Sequence, residues 1–425
     1  MRFKKAGFAA FAAALLATGV AACGGANNNK SSNSSSSKAG GAPAVVPGFD
    51  GTTIKLGVVT PLTGPVAVIG LPLTTGNEIY WDRVNAAGGV GGKYKVQLVQ
   101  EDSQYQPDIA VQKYNKLKAG VAAFQQILGT PSTLAVLPQL KADNVLAAPA
   151  SLDAGWVRQP NLLPVQPPYQ IQAINALDYY VNLKNGQGKK ICSFIQNDAY
   201  GEAGQAGVDY AASKLNFKVV TTQKFKVGDK DVTGQVQQLQ KHKCDAVWLT
   251  ATPADAGTIW GTAAKLGYAP QWIAQSPSYI GALAASPLGP YMAKTVWIAG
   301  DGSSWGDPRV PGMVQLIADM KKFKPKQGPD FYVAFGYDQG IAMDAVLEKA
   351  VANGDLSRAG ILKASSEVGT VDFKGLTGNY TYGPPAKRNP PRSTTIFKVR
   401  PKKPAGLAAQ KFNYESPFAA GYVIK

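Results

Sequence analysis

Histidine is almost missing from this chain: the sequence has one, His242, in the run Lys241-His242-Lys243-Cys244. A Ser-His-Asp catalytic set would have to be built around it. His242 falls instead where a helix hands over to a strand, a place for a solvated surface side chain. Cysteine is scarce as well, with three residues and no CxxC pair. No HExxH motif occurs, and no carboxylate cluster has metal-ligand spacing. Gly88–Lys93 (GGVGGK) fails as a phosphate loop: a glycine falls one position short, Tyr94 replaces the Ser/Thr, and a strand follows where a helix is needed. Acidic residues are in deficit, 27 Asp+Glu against 44 Lys+Arg, for a net charge of +17. Beyond the first residues no apolar run approaches the roughly 20 residues of a spanning helix. These absences argue against an enzyme and give no reason to expect a metal or cofactor.

What is present begins with a leader. Arg2, Lys4 and Lys5 precede the apolar stretch Phe8–Val20, and small residues follow, which is the layout of a secretory signal. Val20-Ala21-Ala22-Cys23 resembles a bacterial lipobox, which implies cleavage before Cys23 and acylation of its thiol. Residues 1–23 are then the leader. Residues 24–50, rich in Ser, Asn, Gly, Ala and Lys, are a flexible linker with little to bury. Two acyl chains on one residue anchor a protein stably, so the expected location is outside the cytoplasm, on the cell membrane. The excess of positive charge then fits solubility, or attraction to an anionic envelope or solute, better than nucleic acid. Its clusters at Lys321–Lys326 and Lys387–Lys403 read as solvated faces.

From Thr53 onward short apolar runs alternate with stretches of helical period. Strands are expected at 54–60, 95–100, 123–128 and 145–148. Helices are expected over 73–87, stopped by Gly88-Gly89, and over 108–118 and 133–142. After Gln166-Pro167-Pro168 the series restarts. Strands are expected at 190–196, 217–222, 245–249 and 271–274, with helices over 201–215, 232–241 and 254–266. Two β/α series predict an α/β chain of two doubly wound lobes. Ligands of such sheets collect beyond the carboxyl ends of the strands. That rule nominates the loops at 61–70, 129–133 and 149–153 in the first series, and 197–200, 250–253 and 275–279 in the second. Ser132, Thr133 and Ser151 place hydroxyls beside helix N-termini, as helix caps, as groups to hold a carboxylate, or as both.

Cys192 starts one strand and Cys244 precedes its neighbour in doubly wound order, so both thiols lie at the same end of the second sheet. A disulfide between them is expected, with two buried thiols as the alternative, since an exported protein permits the bond.

The ordered series Ile54–Gly70 (IKLGVVTPLTGPVAVIG), Asn85–Gly92 (NAAGGVGG), Glu101–Asp108 (EDSQYQPD), Asn197–Glu202 (NDAYGE) and Gly336–Asp338 (GYD) resembles the branched-chain amino-acid binding proteins, type I periplasmic solute-binding proteins that serve ABC importers. The resemblance covers about residues 53 to 400. It implies two lobes joined by a three-crossover hinge that closes on a small solute, residues 52–165 plus 300–386 forming one lobe and 166–299 plus 387–425 the other. It also implies permease subunits as partners and a monomer. A sensory protein handing its signal to a membrane receptor or kinase would use the same clamp.

Residue by residue, the resemblance assigns Ser132 and Thr133 to the ligand carboxylate, Ala150 and Ser151 to the second anchoring loop of that lobe, and Tyr200 to closure from the other lobe. Four positions depart from the pattern. Leu152 stands for a threonine, Ser276 for the acid that meets an α-ammonium, and Ile69 and Thr252 for aromatic residues. Asp153, Asp198 and Asp301 are the acids that could take over from Ser276. Without one of them a carboxylate, amide or aromatic solute fits better than an α-amino acid. Trp156, Tyr169, Tyr279 and Trp305 are candidate apolar walls.

Overall fold

The computed structural model describes residues 43–425. The leader, the lipidation site Cys23 and the linker up to residue 42 lie outside the described residues. The end of the expected linker is already packed. A turn with Gly48 at φ 83° pairs Val46 with Phe49 through two backbone hydrogen bonds. Phe49 is buried edge-on against Tyr94, with ring centroids 5.0 Å apart. The packed body therefore starts ahead of residue 50, because this ring removes its apolar surface from water there.

Strands β1 (Thr53–Thr60), β2 (Lys95–Asp102), β3 (Ala123–Leu128) and β4 (Ala147–Ala150) form a parallel sheet in the order β2-β1-β3-β4. Every residue of β3 is buried, as expected of a strand covered on both faces. Helices α1 (Ala67–Ala86), α2 (Pro107–Leu117) and α3 (Thr130–Ala142) make the connections. The sequence places the start of α3 at Thr133, whereas the helix starts at Thr130. Pro131 suits a first turn, where its missing N–H costs nothing.

The second series runs α4 (Tyr169–Leu183), β5 (Ile191–Gln196), α5 (Ala199–Leu215), β6 (Val219–Phe225), α6 (Thr233–Lys241), β7 (Ala246–Thr250), α7 (Pro253–Lys265), β8 (Gln271–Gln275), α8 (Gly281–Ala285), α9 (Gly289–Thr295) and β9 (Val296–Gly300). Next come α10 (Pro311–Phe323), α11 (Phe331–Ala352), α12 (Arg358–Ser365) and the short ladder of β10 (Thr370–Val371) and β11 (Tyr380–Thr381), all packed in the core of the first sheet. The chain ends with β12 (Thr394–Val399), β13 (Leu407–Tyr414) and α13 (Pro417–Ala420). The second sheet has the order β13-β12-β9-β8-β7-β5-β6. Its β12–β13 hairpin is antiparallel, since a loop of a few residues can join antiparallel strands but not parallel ones.

Two motifs of the resemblance have a packing explanation. A β-carbon on Gly336 would lie 1.9 Å from the Leu73 carbonyl oxygen, and one on Gly76 would lie 2.1 Å from that of Val333. Helices α1 and α11 thus cross at backbone contact, which glycine permits and any side chain would prevent. In EDSQYQPD, Asp102 accepts from the Leu62 N–H at 2.9 Å and the Thr63 hydroxyl at 2.5 Å, pinning the loop after β1.

The chain passes between the two sheets' bodies three times, after β4, β9 and β11. Arginines tie the first and third crossings together through backbone carbonyls. Arg388 donates through Nη1 to the carbonyls of Gln159 (2.8 Å) and Leu162 (2.7 Å). Arg158 donates in return to Pro385 (2.8 Å) and Arg388 (2.9 Å). Tyr382 adds a hydroxyl bond to the Pro164 carbonyl at 2.7 Å.

Cys192 and Cys244 are joined by a disulfide, with Cα atoms 5.9 Å apart. It lies at the amino ends of β5 and β7, where Cys192 stands opposite Val247 in the parallel register.

Candidate functional site

Helices α3, α5 and α7 all begin at the carboxyl ends of strands, and their N-termini converge on a cavity of about 390 Å³ between the two series. One wall comes from Ile69 and Leu73 of α1, Gly129 and Thr130 at the start of α3, and Ala150 at the end of β4. The other comes from Tyr169 of α4, Tyr200 of α5 and Thr252 ahead of α7; Tyr332 and Phe335 of α11 complete the wall. The loops nominated by the strand-end rule are therefore the ones that meet here.

The first-turn N–H groups of α3 have no intrahelical acceptors, and the helix has no acidic residue in that turn. Gly129 precedes it at φ 102°, and a β-carbon there would also strike the Tyr105 ring at 2.7 Å. Tyr105 comes over Gly129 because Gln104 and Tyr105 both adopt positive φ, 52° and 60°. Beside this terminus the Ser132 hydroxyl is fully buried and has no hydrogen-bond partner. Thr133 instead donates its hydroxyl to the Ile127 carbonyl at 3.3 Å. Ser151 shares a 2.9 Å bond with Thr130 and accepts from Trp156 Nε1 at 2.8 Å.

From the other side, Asp198 caps α5 by accepting from the N–H groups of Tyr200 (2.9 Å) and Gly201 (3.2 Å). That cap holds Tyr200 at the cavity, where its ring lies 5.1 Å from that of Tyr169 on the same wall. Burial pushes the hydroxyls of Tyr169, Tyr200 and Tyr332 far above the usual phenol range, so all three remain neutral donors. Tyr200 donates to the Ala251 carbonyl at 3.3 Å and Tyr332 to that of Pro277 at 3.1 Å. The Thr252 hydroxyl donates to Asp255 at 2.7 Å.

Next to this cavity is a second, of about 630 Å³, lined by Ser276 and Tyr279 among others. Ile69, Ala150, Tyr200 and Thr252 thus line the smaller cavity and Ser276 and Tyr279 the larger. Ser132, Thr133 and Ser151 adjoin the wall at the α3 terminus without lining either cavity. Of the four candidate aromatic walls, Tyr169 and Tyr279 line cavities. Trp156 packs in the core around α2 and α3, and Trp305 sits edge-on behind Phe331 at 6.2 Å. Both indoles have more apolar surface to cover inside the lobes than at the cleft.

The three replacement acids separate in the same way. Asp153 is engaged with the Gly155 N–H at 2.8 Å and Gln170 at 3.3 Å. Asp198 is committed to its cap. Asp301 lines the larger cavity, and its Oδ2 is buried without a partner. Burial raises the Asp301 carboxyl to about 7. Neither wall carries a Lys, Arg or Glu. Sequence reasoning missed Tyr105, Tyr332 and Phe335, and reached Thr130 only as part of the loop at 129–133. The available signal was the aromatic run Phe331–Phe335 directly ahead of Gly336, at a spacing that puts Tyr332 and Phe335 on one helix face.

No helix among the described residues is long and apolar enough to cross a membrane, and no group of three metal-ligating side chains occurs among them. The sequence profile described as periplasmic binding protein matches residues 53–404. The chain is 26% identical over 210 residues to Leu/Ile/Val-binding protein homolog 3 of Brucella melitensis, a match that spans 48% of this chain and 56% of that protein. It is 25% identical over 354 residues to Leu/Ile/Val-binding protein homolog 1 of Brucella suis, covering 81% of this chain and 90% of that one. Among solved structures, a fatty acid ABC transporter substrate-binding protein from Thermomonospora curvata superposes with a TM-score of 0.84 at 29% identity, over 90% of this chain and 97% of that one. A profile matched across both β/α series, and a cavity where their strand ends meet, lead to one assignment: the chain belongs to the type I periplasmic binding proteins, the solute-binding and non-enzymatic family of the Leu/Ile/Val-binding proteins.

Proposed function

We propose that this protein is the extracytoplasmic substrate-binding subunit of an ABC importer, anchored through acylated Cys23, and that it clamps a small carboxylate with an apolar body between its two lobes. The lobes are residues 52–165 plus 300–386 and residues 166–299 plus 387–425. The observation that carries the reading is the smaller cavity, walled from both β/α series and meeting the α3 N-terminus beside the unpartnered Ser132 hydroxyl. A carboxylate there gains N–H donors and the positive end of the helix dipole. An α-ammonium would find no carboxylate on that wall, and burying it unpaired is strongly unfavourable. The name of the Thermomonospora curvata protein, a fatty acid binder, supports an apolar acid.

A thermal-shift screen of amino acids, amides, aromatic acids and aliphatic acids tests this, since a bound solute raises the melting temperature by mass action. Aliphatic or aromatic monocarboxylates are expected to give the hits. Ser132→Ala and Tyr200→Ala should each weaken the hit about 10-fold or more, the loss of one hydrogen bond to a charged group or one buried aromatic contact. Unchanged affinity in both variants would move the site elsewhere.

A further inference from the structure

We propose that the larger cavity is a second subsite of the same ligand, taking an unbranched apolar chain that continues from the carboxylate past Tyr332 and Phe335, so that the solute is a medium- or long-chain monocarboxylic acid. The inference rests on the carboxylate reading of the smaller cavity. The two cavities share Tyr332 and Phe335, one turn apart on α11, and no other residue. A head group alone is served by the smaller cavity, yet a larger one adjoins it across the shared Tyr332 and Phe335. The extra wall is largely hydrocarbon: Ile298, Met313, Phe331, Leu376, Phe397 and Leu407. Glycine at 300 leaves the Phe397 ring room to lie against the end of β9, because a β-carbon there would come within 3.2 Å of it. Apolar walls of this kind recognise length through burial of successive methylenes, each tightening binding about fourfold.

The far wall also sets what the chain must not carry. Asp301 is the sole ionisable acid on the wall, Oδ2 has no partner, and no cation lines the space. A second carboxylate at the end of the chain would be buried on a wall that offers no cation to compensate it. The subsite therefore accepts a methyl terminus and rejects a dicarboxylate.

Calorimetric titration of the purified protein with butanoate, octanoate, dodecanoate and octanedioate tests the subsite. In the wild type, affinity should climb about fourfold per methylene until the space is filled. Octanedioate should bind at least about 10-fold more weakly than octanoate, the effect of one unpaired buried charge, and Asp301→Asn should narrow that gap. Ala334→Leu and Met313→Trp each put bulk into the larger cavity, and thermal melts establish which of them folds. A folded variant should bind butanoate like the wild type while losing the gain from octanoate to dodecanoate. Equal affinity at every chain length, or equal loss for short and long acids in the filled variants, would overturn the second subsite and leave the carboxylate site standing. Failure of all monocarboxylates to bind would overturn the carboxylate reading and this inference with it.

Discussion

Replacing both members of the disulfide, Cys192→Ala with Cys244→Ala, should cost the fold about 4 kcal/mol and leave ligand affinity unchanged. The magnitude follows from the chain closed by the bond. The two cysteines are 52 residues apart, and a loop of that size removes about 14 cal/mol/K from the unfolded ensemble, or about 4 kcal/mol at 25 °C. Both positions are buried, so deleting the sulfurs adds a small packing loss. Reducing the wild type separates the two contributions, because the reduced protein keeps its sulfur atoms. At about 2 °C per kcal/mol for a large folding unit, the melting temperature should fall by roughly 8 °C. Affinity should hold because the bond lies at the amino ends of β5 and β7, while Tyr200 and Thr252 stand beyond their carboxyl ends. Differential scanning calorimetry of oxidised, reduced and double-variant protein, with a titration of each, makes the measurement. A melting temperature insensitive to reduction would refute the loop-closure reasoning. A double variant that melts normally but no longer binds would refute the separation of this end of the sheet from the site.

Gly129→Ala should destabilise the protein by about 2 kcal/mol or more, through a positive φ and a clash with Tyr105; a chemical denaturation midpoint unchanged from wild type would contradict it. Asp301→Asn should raise stability above neutral pH and change little near pH 4. The native carboxyl holds its proton up to about 7 against an ordinary value of 3.8, so its cost is absent below the unfolded value and grows as pH rises through that window. The full difference is on the order of a few kcal/mol, and melts of both proteins across that range give the sign.

The β/α alternation was legible because buried parallel strands such as IKLGVVT are continuous apolar runs, and because Gly88-Gly89 terminates α1 where its period ends. The rule that ligands gather beyond strand ends was enough to bring Ile69, Ala150, Tyr200 and Thr252 to one cavity. The larger cavity was not legible. Its walls come from β9, α11, β12 and β13, which meet only after the chain has crossed twice more between the sheets. The spacing in FYVAFGYD puts Tyr332 and Phe335 on one helix face, but which face meets the cleft, while Tyr337 donates to Asp319 at 2.6 Å, is set by the tertiary packing. Asp338 belongs to the GYD stretch of the family resemblance. It is a buried acid held by Gln166 Nε2 at 2.9 Å, and Gln166 itself sits at a positive φ of 65° on the first crossing.

The arginine clasps at the crossings use peptide oxygens where ion pairs would be the usual choice. Peptide oxygens do not titrate, and bonds buried among backbone groups are screened little by salt. Acidification or brine that loosens a surface salt bridge would leave Arg158 and Arg388 in place. Any separation of the halves must either keep this stapled edge joined or break its bonds to backbone carbonyls.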